Sequence, residues 1–205
     1  SKSSAIRLSI DIGGTFTDVV LETSSGLFSK KVLTSSRSPE EAIFVGMEEV
    51  CDSAKVKIQN ITEIIHGTTL ATNALIERKG AKTALVTTYG FRDVIEMRTE
   101  SRFEQYDLNL VMPQPLITRE HRYTVSERIS ATGKVLKELD EKEVERLAKT
   151  LLKANYESIA IGFIHSYANA KHEKLVRKIL NSEIPNTTIS ISSEVSPQMR
   201  EYERF

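Results

Sequence analysis

The stretch Leu8-Ser-Ile-Asp-Ile-Gly-Gly-Thr-Phe-Thr-Asp18 constrains the chain more than any other. An apolar run ends in the acid Asp11, passes through Gly13 and Gly14, and resumes at Val19-Val-Leu21. Paired glycines allow a tight strand–turn–strand hairpin, at positive φ if needed, and let bare backbone N–H groups approach an anion. Thr15 and Thr17 place hydroxyl donors beside those amides. Asp11 stands where a carboxylate can hold hydrated Mg²⁺, an ion that keeps several waters and meets protein through one or two carboxylates. The pattern suits the phosphate tail of a nucleoside triphosphate with its metal, and a plain Gly-Gly hairpin is the simpler alternative. A Walker loop and a dinucleotide fingerprint are excluded, because neither Gly-x4-Gly-Lys-Ser/Thr nor Gly-x-Gly-x-x-Gly before a helix occurs.

With 205 residues, 40% of them hydrophobic and 27% charged, the chain is long enough to bury a core. Its 28 basic and 28 acidic residues cancel, so no electrostatic footprint for nucleic acid or an anionic membrane is expected. No apolar run approaches a bilayer span, and Ser1-Lys-Ser-Ser4 lacks an apolar leader. The lone Cys51 rules out an internal disulfide and reads as a buried, inert thiol on a helix, with a cytoplasmic setting as the expectation.

Strands are predicted at 6–12, 15–22 and 27–33. A helix from Ser38-Pro-Glu-Glu41 to about Ser53 follows, with Ser38 and Glu41 as a capping box and Ile43, Met47, Val50 and Cys51 on one face. A strand at 61–66, a helix running from His66-Gly-Thr-Thr69 to Lys79 with Gly80 as its stop, and a strand at 82–88 read as one parallel strand–helix–strand unit. The segment 100–120, flanked by Arg98 and carrying Arg102, Phe103, Tyr106, Asp107, Pro113 and Pro115, has no period and reads as a loop near a site or a partner. Order returns as a strand at 121–129, a turn at Ala131-Thr-Gly133, and a helix capped by Asp140 with Val144, Leu147, Ala148, Leu151 and Leu152 on its stripe. The unbroken apolar strand Ser158–Ile164, a helix at 169–181 and a strand at 187–192 complete the reading. The expected division is 1–90 as a phosphate-hairpin α/β subdomain, 91–125 as an irregular connection and 126–205 as a second α/β subdomain.

The strand–loop–strand form of Asp11–Asp18 resembles the first phosphate motif of the actin, sugar-kinase and Hsp70 ATPases. Further along lies Ile64-Ile-His-Gly-Thr-Thr-Leu-Ala-Thr-Asn-Ala-Leu-Ile-Glu-Arg-Lys-Gly80. With Thr87-Thr-Tyr-Gly-Phe-Arg-Asp93, Tyr106-Asp-Leu108, Glu127-Arg-Ile129, Gly162-Phe163, Ser166-Tyr167 and Arg200-Glu-Tyr-Glu-Arg204, the chain resembles the N-terminal part of the hydantoinase A/5-oxoprolinase family nearly throughout. The resemblance implies an α/β fold: an actin-like (ribonuclease H-like) ATPase lobe with a mixed sheet flanked by helices, plus a second α/β subdomain. It implies ATP-dependent opening of a cyclic amide, with the amide carbonyl activated by phosphorylation. A ketone carboxylase subunit and a non-catalytic actin-like scaffold are the alternatives. The family's second glycine-rich phosphate motif does not occur here, so the chain reads as one lobe of a two-lobed enzyme, working with a C-terminal half and a B-type partner subunit.

The roles that follow are expectations. Asp11 is a catalytic residue through the Mg²⁺ it holds, with Asp18 as a second metal ligand. Gly13, Gly14, Thr15, Phe16 and Thr17 bind the β- and γ-phosphates of ATP, and His66 is catalytic at the end of its strand. Thr68, Thr69 and Asn73 line the side that accepts the cyclic amide. His121, His165 and His172 lack metal-ligand spacing and read as structural or surface residues.

Overall fold

The computed structural model describes residues 5–35, 38–99, 106–107 and 109–205. The chain forms two compact units, Ser1–Gly80 and Ala81–Phe205.

In the first unit β1 (Arg7–Ile12), β2 (Phe16–Thr23) and β3 (Gly26–Leu33) form an antiparallel meander. Helix α1 (Pro39–Ala54) leads to β4 (Glu63–Thr68), which pairs parallel to β1, giving the order β3-β2-β1-β4. Strand alternation places Leu8, Ile10, Ile12, Val19 and Leu21 on the face that α1 covers, where Val50 and Cys51 complete the core. Burial raises the Cys51 thiol pKa, as an inert thiol requires. Ser38 stands before α1, but its side chain makes no cap, so the expected box is not formed. Gly46 carries a signal absent from the apolar period: a Cβ there would lie 2.5 Å from Val19 Cγ2. The helix meets the sheet through that missing side chain. Gly46→Ala is therefore expected to cost about 1–3 kcal/mol through overpacking, against the gain of up to ~1 kcal/mol that alanine brings to a helix, and thermal melting measures the balance.

Helix α2 (Leu70–Ile76) follows β4 directly. It ends earlier than the sequence suggests: Glu77 is its C-cap and Arg78, at φ 53°, takes the left-handed position expected of Gly80.

The second unit is built on a parallel sheet of order β10-β9-β5-β6, from β5 (Thr83–Thr88), β6 (Arg122–Val125), β9 (Ser158–Gly162) and β10 (Thr188–Ile191). Between these strands lie α3 (Val94–Met97), the hairpin β7 (Arg128–Ile129) and β8 (Val135–Lys137), α4 (Glu141–Lys153) and α5 (Lys171–Glu183). Helices α6 (Ser192–Val195) and α7 (Glu201–Arg204) close the chain. Because β5 pairs with β6 and β9, it does not close a strand–helix–strand unit with β4. The division thus falls before β5 rather than near residue 90, and 91–125 is part of the second unit. Of the residues in the predicted loop, Arg102 and Phe103 lie outside those described. The predicted strand 121–129 is two strands, interrupted where buried Glu127 accepts a hydrogen bond from the Thr88 hydroxyl.

Asp140 caps α4 as expected, Oδ1 accepting from the Glu143 N–H at 3.2 Å. The Glu143 carboxylate turns instead to the Ser126 N–H at 2.9 Å. Val144, Ala148 and Leu151 are buried and Leu152 is exposed, one step off the stripe. Val86, Ile159, Ile161, Val176, Leu180 and Ile191 form the centre of this core. Among the described residues no helix is long and apolar enough to cross a membrane.

Candidate functional site

The hairpin forms as predicted, but its glycines are needed for a different reason. Neither Gly13 nor Gly14 is among the positive-φ residues. Gly13 N–H donates to the Phe16 carbonyl at 2.9 Å, and a Cβ on Gly13 would lie 2.8 Å from that same oxygen. A Cβ on Gly14 would lie 3.0 Å from Asn73 Nδ2. Both positions are glycine because atoms approach them closely.

This geometry narrows the anion-binding set. The Gly13 amide is spent inside the turn. The Gly14 and Thr15 amides have no hydrogen-bond partner among the described residues, and both residues are exposed at the tip with the Thr15 hydroxyl. Phe16 is half-exposed beside them, with the Lys31 ammonium 5.4 Å from its ring centroid. Thr17 does not join them. It is 0% exposed on the α1 face, its hydroxyl 2.9 Å from that of Thr34.

A row of charge crosses the other face of the sheet. Asp11 on β1 stands opposite Asp18 on β2, and Asp18 opposite Lys31 on β3. Residues directly opposite in antiparallel strands share a face, and like charges there repel. Lys31 Nζ reaches Asp18 Oδ1 at 2.8 Å, and Asp11 has no ion-pair partner among the described residues. A row of two carboxylates and one ammonium has one negative charge left over, at Asp11. Asp18, committed to Lys31, is a charge neighbour of that position rather than a free ligand.

The second motif meets the first at this end of the sheet. In the β1–β4 register Asp11 stands beside Gly67 and Ile12 beside Thr68, so the carboxyl ends of the two strands are level. A Cβ on Gly67 would lie 3.8 Å from Asp11 Oδ1, so the carboxylate leans over β4 where a side chain is missing. The Ile12 carbonyl accepts the Thr69 N–H at 3.1 Å, with the Thr68 and Thr69 hydroxyls at 3.4 and 3.5 Å. Both threonines clasp α2 to the hairpin instead of lining an acceptor pocket. Asn73, whose Nδ2 lies 3.5 Å from Thr69 Oγ1, packs over Gly14. His66 is exposed within β4, beside Ile10 in register. Alternation therefore puts it on the opposite face of the sheet from Asp11, and the two do not act on one atom across this sheet.

The remaining histidines are bonded inside the second unit. His121 Nδ1 meets the Tyr156 hydroxyl at 2.7 Å, His165 Nδ1 the Ile129 carbonyl at 2.9 Å, and His172 Nδ1 the Glu127 carboxylate at 2.7 Å. No group of three or more His, Cys, Asp or Glu side chains suited to a metal occurs among the described residues. The sequence named Gly14, Thr15 and Asn73; what it did not show is that the Gly13 amide is used inside the turn, that Thr17 faces α1 and that Asn73 packs against Gly14.

The arrangement defines an α/β unit with a glycine-bearing, amide-lined hairpin set beside a carboxylate that has no ion-pair partner among the described residues. Residues 7–184 match the model of the hydantoinase/oxoprolinase N-terminal region, and the chain belongs to that family. It is 41% identical over 203 residues to the uncharacterized protein MJ0964 of Methanocaldococcus jannaschii, covering 97% of this chain and 29% of that one. It is 30% identical to the caprolactamase subunit alpha of Pseudomonas jessenii, covering 97% of this chain and 30% of that one. The crystal structure of that ATP-dependent caprolactamase superposes with a TM-score of 0.83. The 5-oxoprolinase of Saccharomyces cerevisiae is 30% identical over 95% of this chain and 18% of its own. The chain thus spans less than a third of the length of each of these relatives.

Proposed function

We propose that the first unit is the phosphate-binding lobe, of the actin-like type, of an enzyme that couples ATP to the opening of a cyclic amide. The observation that carries this reading is the meeting of the two motifs. The open amides of Gly14 and Thr15 share one end of the sheet with the Asp11 carboxylate, Gly67 leaves space beside that carboxylate, and Asn73 packs against Gly14 from α2. This donor set fits a phosphate with its cation, because N–H groups and a hydroxyl face an anion while an unpaired carboxylate faces a metal.

Asp11 would hold Mg²⁺, directly or through water. Gly14 and Thr15 would orient the terminal phosphates, and Lys31, kept in place by Asp18, would add positive charge beside the hairpin. When bound, ATP would transfer a phosphoryl group to the amide oxygen with loss of ADP; water adding at the activated carbon would let the ring C–N bond break, and hydrolysis of the resulting acyl phosphate would release phosphate. The residues of the chain supply position and charge neutralisation, which dominate catalysis of such transfers. The P. jessenii relative is named as an alpha subunit, which supports a reading in which this chain works with a further, B-type subunit.

The test is ATP hydrolysis by the full-length protein, with its partner subunit, in the presence of hydantoin, 5-oxoproline or caprolactam. Turnover should depend on the cyclic amide. Gly14→Val should lower it about 100-fold or more, the scale of a lost preorganised donor, whereas Thr17→Ser should change it little. Equal turnover in Gly14→Val and wild type would remove the phosphate from this hairpin. Stimulation by ketone and bicarbonate but not by cyclic amides would replace amide opening with carboxylation.

A further inference from the structure

At the carboxyl end of β5 the backbone turns through Tyr89 and Gly90, the glycine at φ 89°. A cavity of about 640 Å³ opens between this turn, α3 and Thr124. The volume is that of a small-molecule site, and carboxyl ends of parallel strands are where open α/β sheets take ligands. Tyr89, Phe91 and Met97 give it apolar walls, Arg92 and Arg98 a cationic lining, and Asp93 a single carboxylate.

Among the described residues the charges around the cavity do not balance. Arg119 is paired with Asp93 at 3.0 Å, and the wholly buried Arg122 side chain with Asp93 at 3.3 Å and Glu96 at 3.0 Å. The hydrogen bond from Arg119, above all, holds the Asp93 carboxyl below its ordinary range. Arg92 and Arg98 have no carboxylate within ion-pair distance among the described residues. Arg92 donates to the Arg119 carbonyl at 2.7 Å and Arg98 to the Pro113 carbonyl. A guanidinium has five N–H donors in a planar fork, so each keeps its charge and donors to spare. Arg98 also holds φ 55° and ψ −138°, a backbone state that a residue with a Cβ rarely adopts.

We propose that this cavity binds a small organic carboxylate, its carboxyl group on Arg92 and Arg98 and its apolar body against Tyr89, Phe91 and Met97. The guanidinium fork matches a carboxylate or a phosphate, and the apolar walls favour a compact acid with a hydrocarbon ring or chain over bare phosphate. Where the ligand is the cyclic amide of the proposed function, the selection of one that bears a carboxylate rests on that reading. Carboxylate binding itself does not rest on the nucleotide reading, because it concerns the second unit alone and is measured without ATP.

The test uses the full-length protein and three probes: L-5-oxoproline, a lactam with a carboxylate; caprolactam, a lactam without one; and inorganic phosphate. Modification of arginines by phenylglyoxal, read by peptide mass spectrometry, is expected to slow several-fold at Arg92 and Arg98 with 5-oxoproline and to be unaffected by caprolactam. In calorimetry Arg92→Gln and Arg98→Gln are each expected to weaken 5-oxoproline binding about tenfold or more, the scale of a lost charged hydrogen bond. Failure of 5-oxoproline to protect either arginine would overturn the proposal. Equal protection by phosphate would overturn the carboxylate assignment, as would folded variants that bind like wild type. If a variant does not fold, protection of the wild-type arginines decides alone.

Discussion

Asp11→Asn in the full-length enzyme is expected to lower Mg-ATP turnover about 100- to 1000-fold while leaving stability within about 0.5 kcal/mol of wild type. The two halves of this expectation have separate causes. Asparagine is nearly isosteric, and Asp11 is exposed with no ion-pair partner among the described residues, so no packing or pairing is lost. Removing its charge also relieves repulsion with Asp18 across the β1–β2 pair. What disappears is the carboxylate at the level end of β1 and β4, where a divalent cation would be held. Steady-state ATP hydrolysis and thermal melting, measured on the same preparation, separate the effects. A large loss of stability with unchanged turnover per folded molecule would make Asp11 a structural residue.

The largest effect on stability is expected in the second unit, at Glu173. This wholly buried carboxylate accepts the Phe163 N–H at 3.0 Å, the Ser192 hydroxyl at 2.6 Å and the Ser193 N–H at 3.0 Å. It thereby ties the end of β9 and the start of α6 to α5. Arg204 completes the group from α7, donating to the Phe163 carbonyl at 2.9 Å and to Ser192 Oγ at 3.1 Å. Glu173→Ala would strand two backbone donors and the Ser192 hydroxyl, and leave Arg204 with Glu201, 3.3 Å away, as its one carboxylate partner among the described residues. The expected cost is about 3–5 kcal/mol, since unsatisfied buried donors and broken buried charge groups are each expensive. Glu173→Gln, which keeps one acceptor oxygen, should cost roughly half as much. Denaturant unfolding followed by hydrogen exchange at β9 and β10 amides reads both. Less than about 1 kcal/mol for Glu173→Ala would mean that water replaces the lost acceptor.

The order of strands and long helices was legible because it rests on local periodicity. Ser158–Ile164 reads as a strand covered on both faces, and the strand forms but ends at Gly162; the Val144, Ala148 and Leu151 stripe of α4 is buried as its 3.6-residue spacing requires. What failed depends on contacts distant in sequence. Nothing near Thr83–Thr88 tells that the strand pairs with Ser158–Gly162 rather than with Glu63–Thr68. His172 and Glu173 sit in a stretch rich in charge, yet their partners Glu127 and Ser192 are far along the chain, and only the fold shows them buried. At the site, the motif pointed to the right hairpin and over-assigned its members. Thr17 lies on the buried face because alternation sends it there, and the Gly13 amide is consumed by the turn that the glycines permit. Asp18 looked like a second metal ligand until its register with Lys31 was seen.

The central claim is that the Gly13–Gly14 hairpin and Asp11 together hold the phosphates and metal of ATP. A crystal structure of the full-length protein with Mg²⁺ and a non-hydrolysable ATP analogue tests it most directly. The expected result is a terminal phosphate within hydrogen-bond distance, about 2.7–3.2 Å, of the Gly14 and Thr15 amides, with the metal on the Asp11 side of the sheet, bound to that carboxylate directly or through one water. A nucleotide bound elsewhere, with the hairpin tip solvated and Asp11 away from the metal, would contradict it.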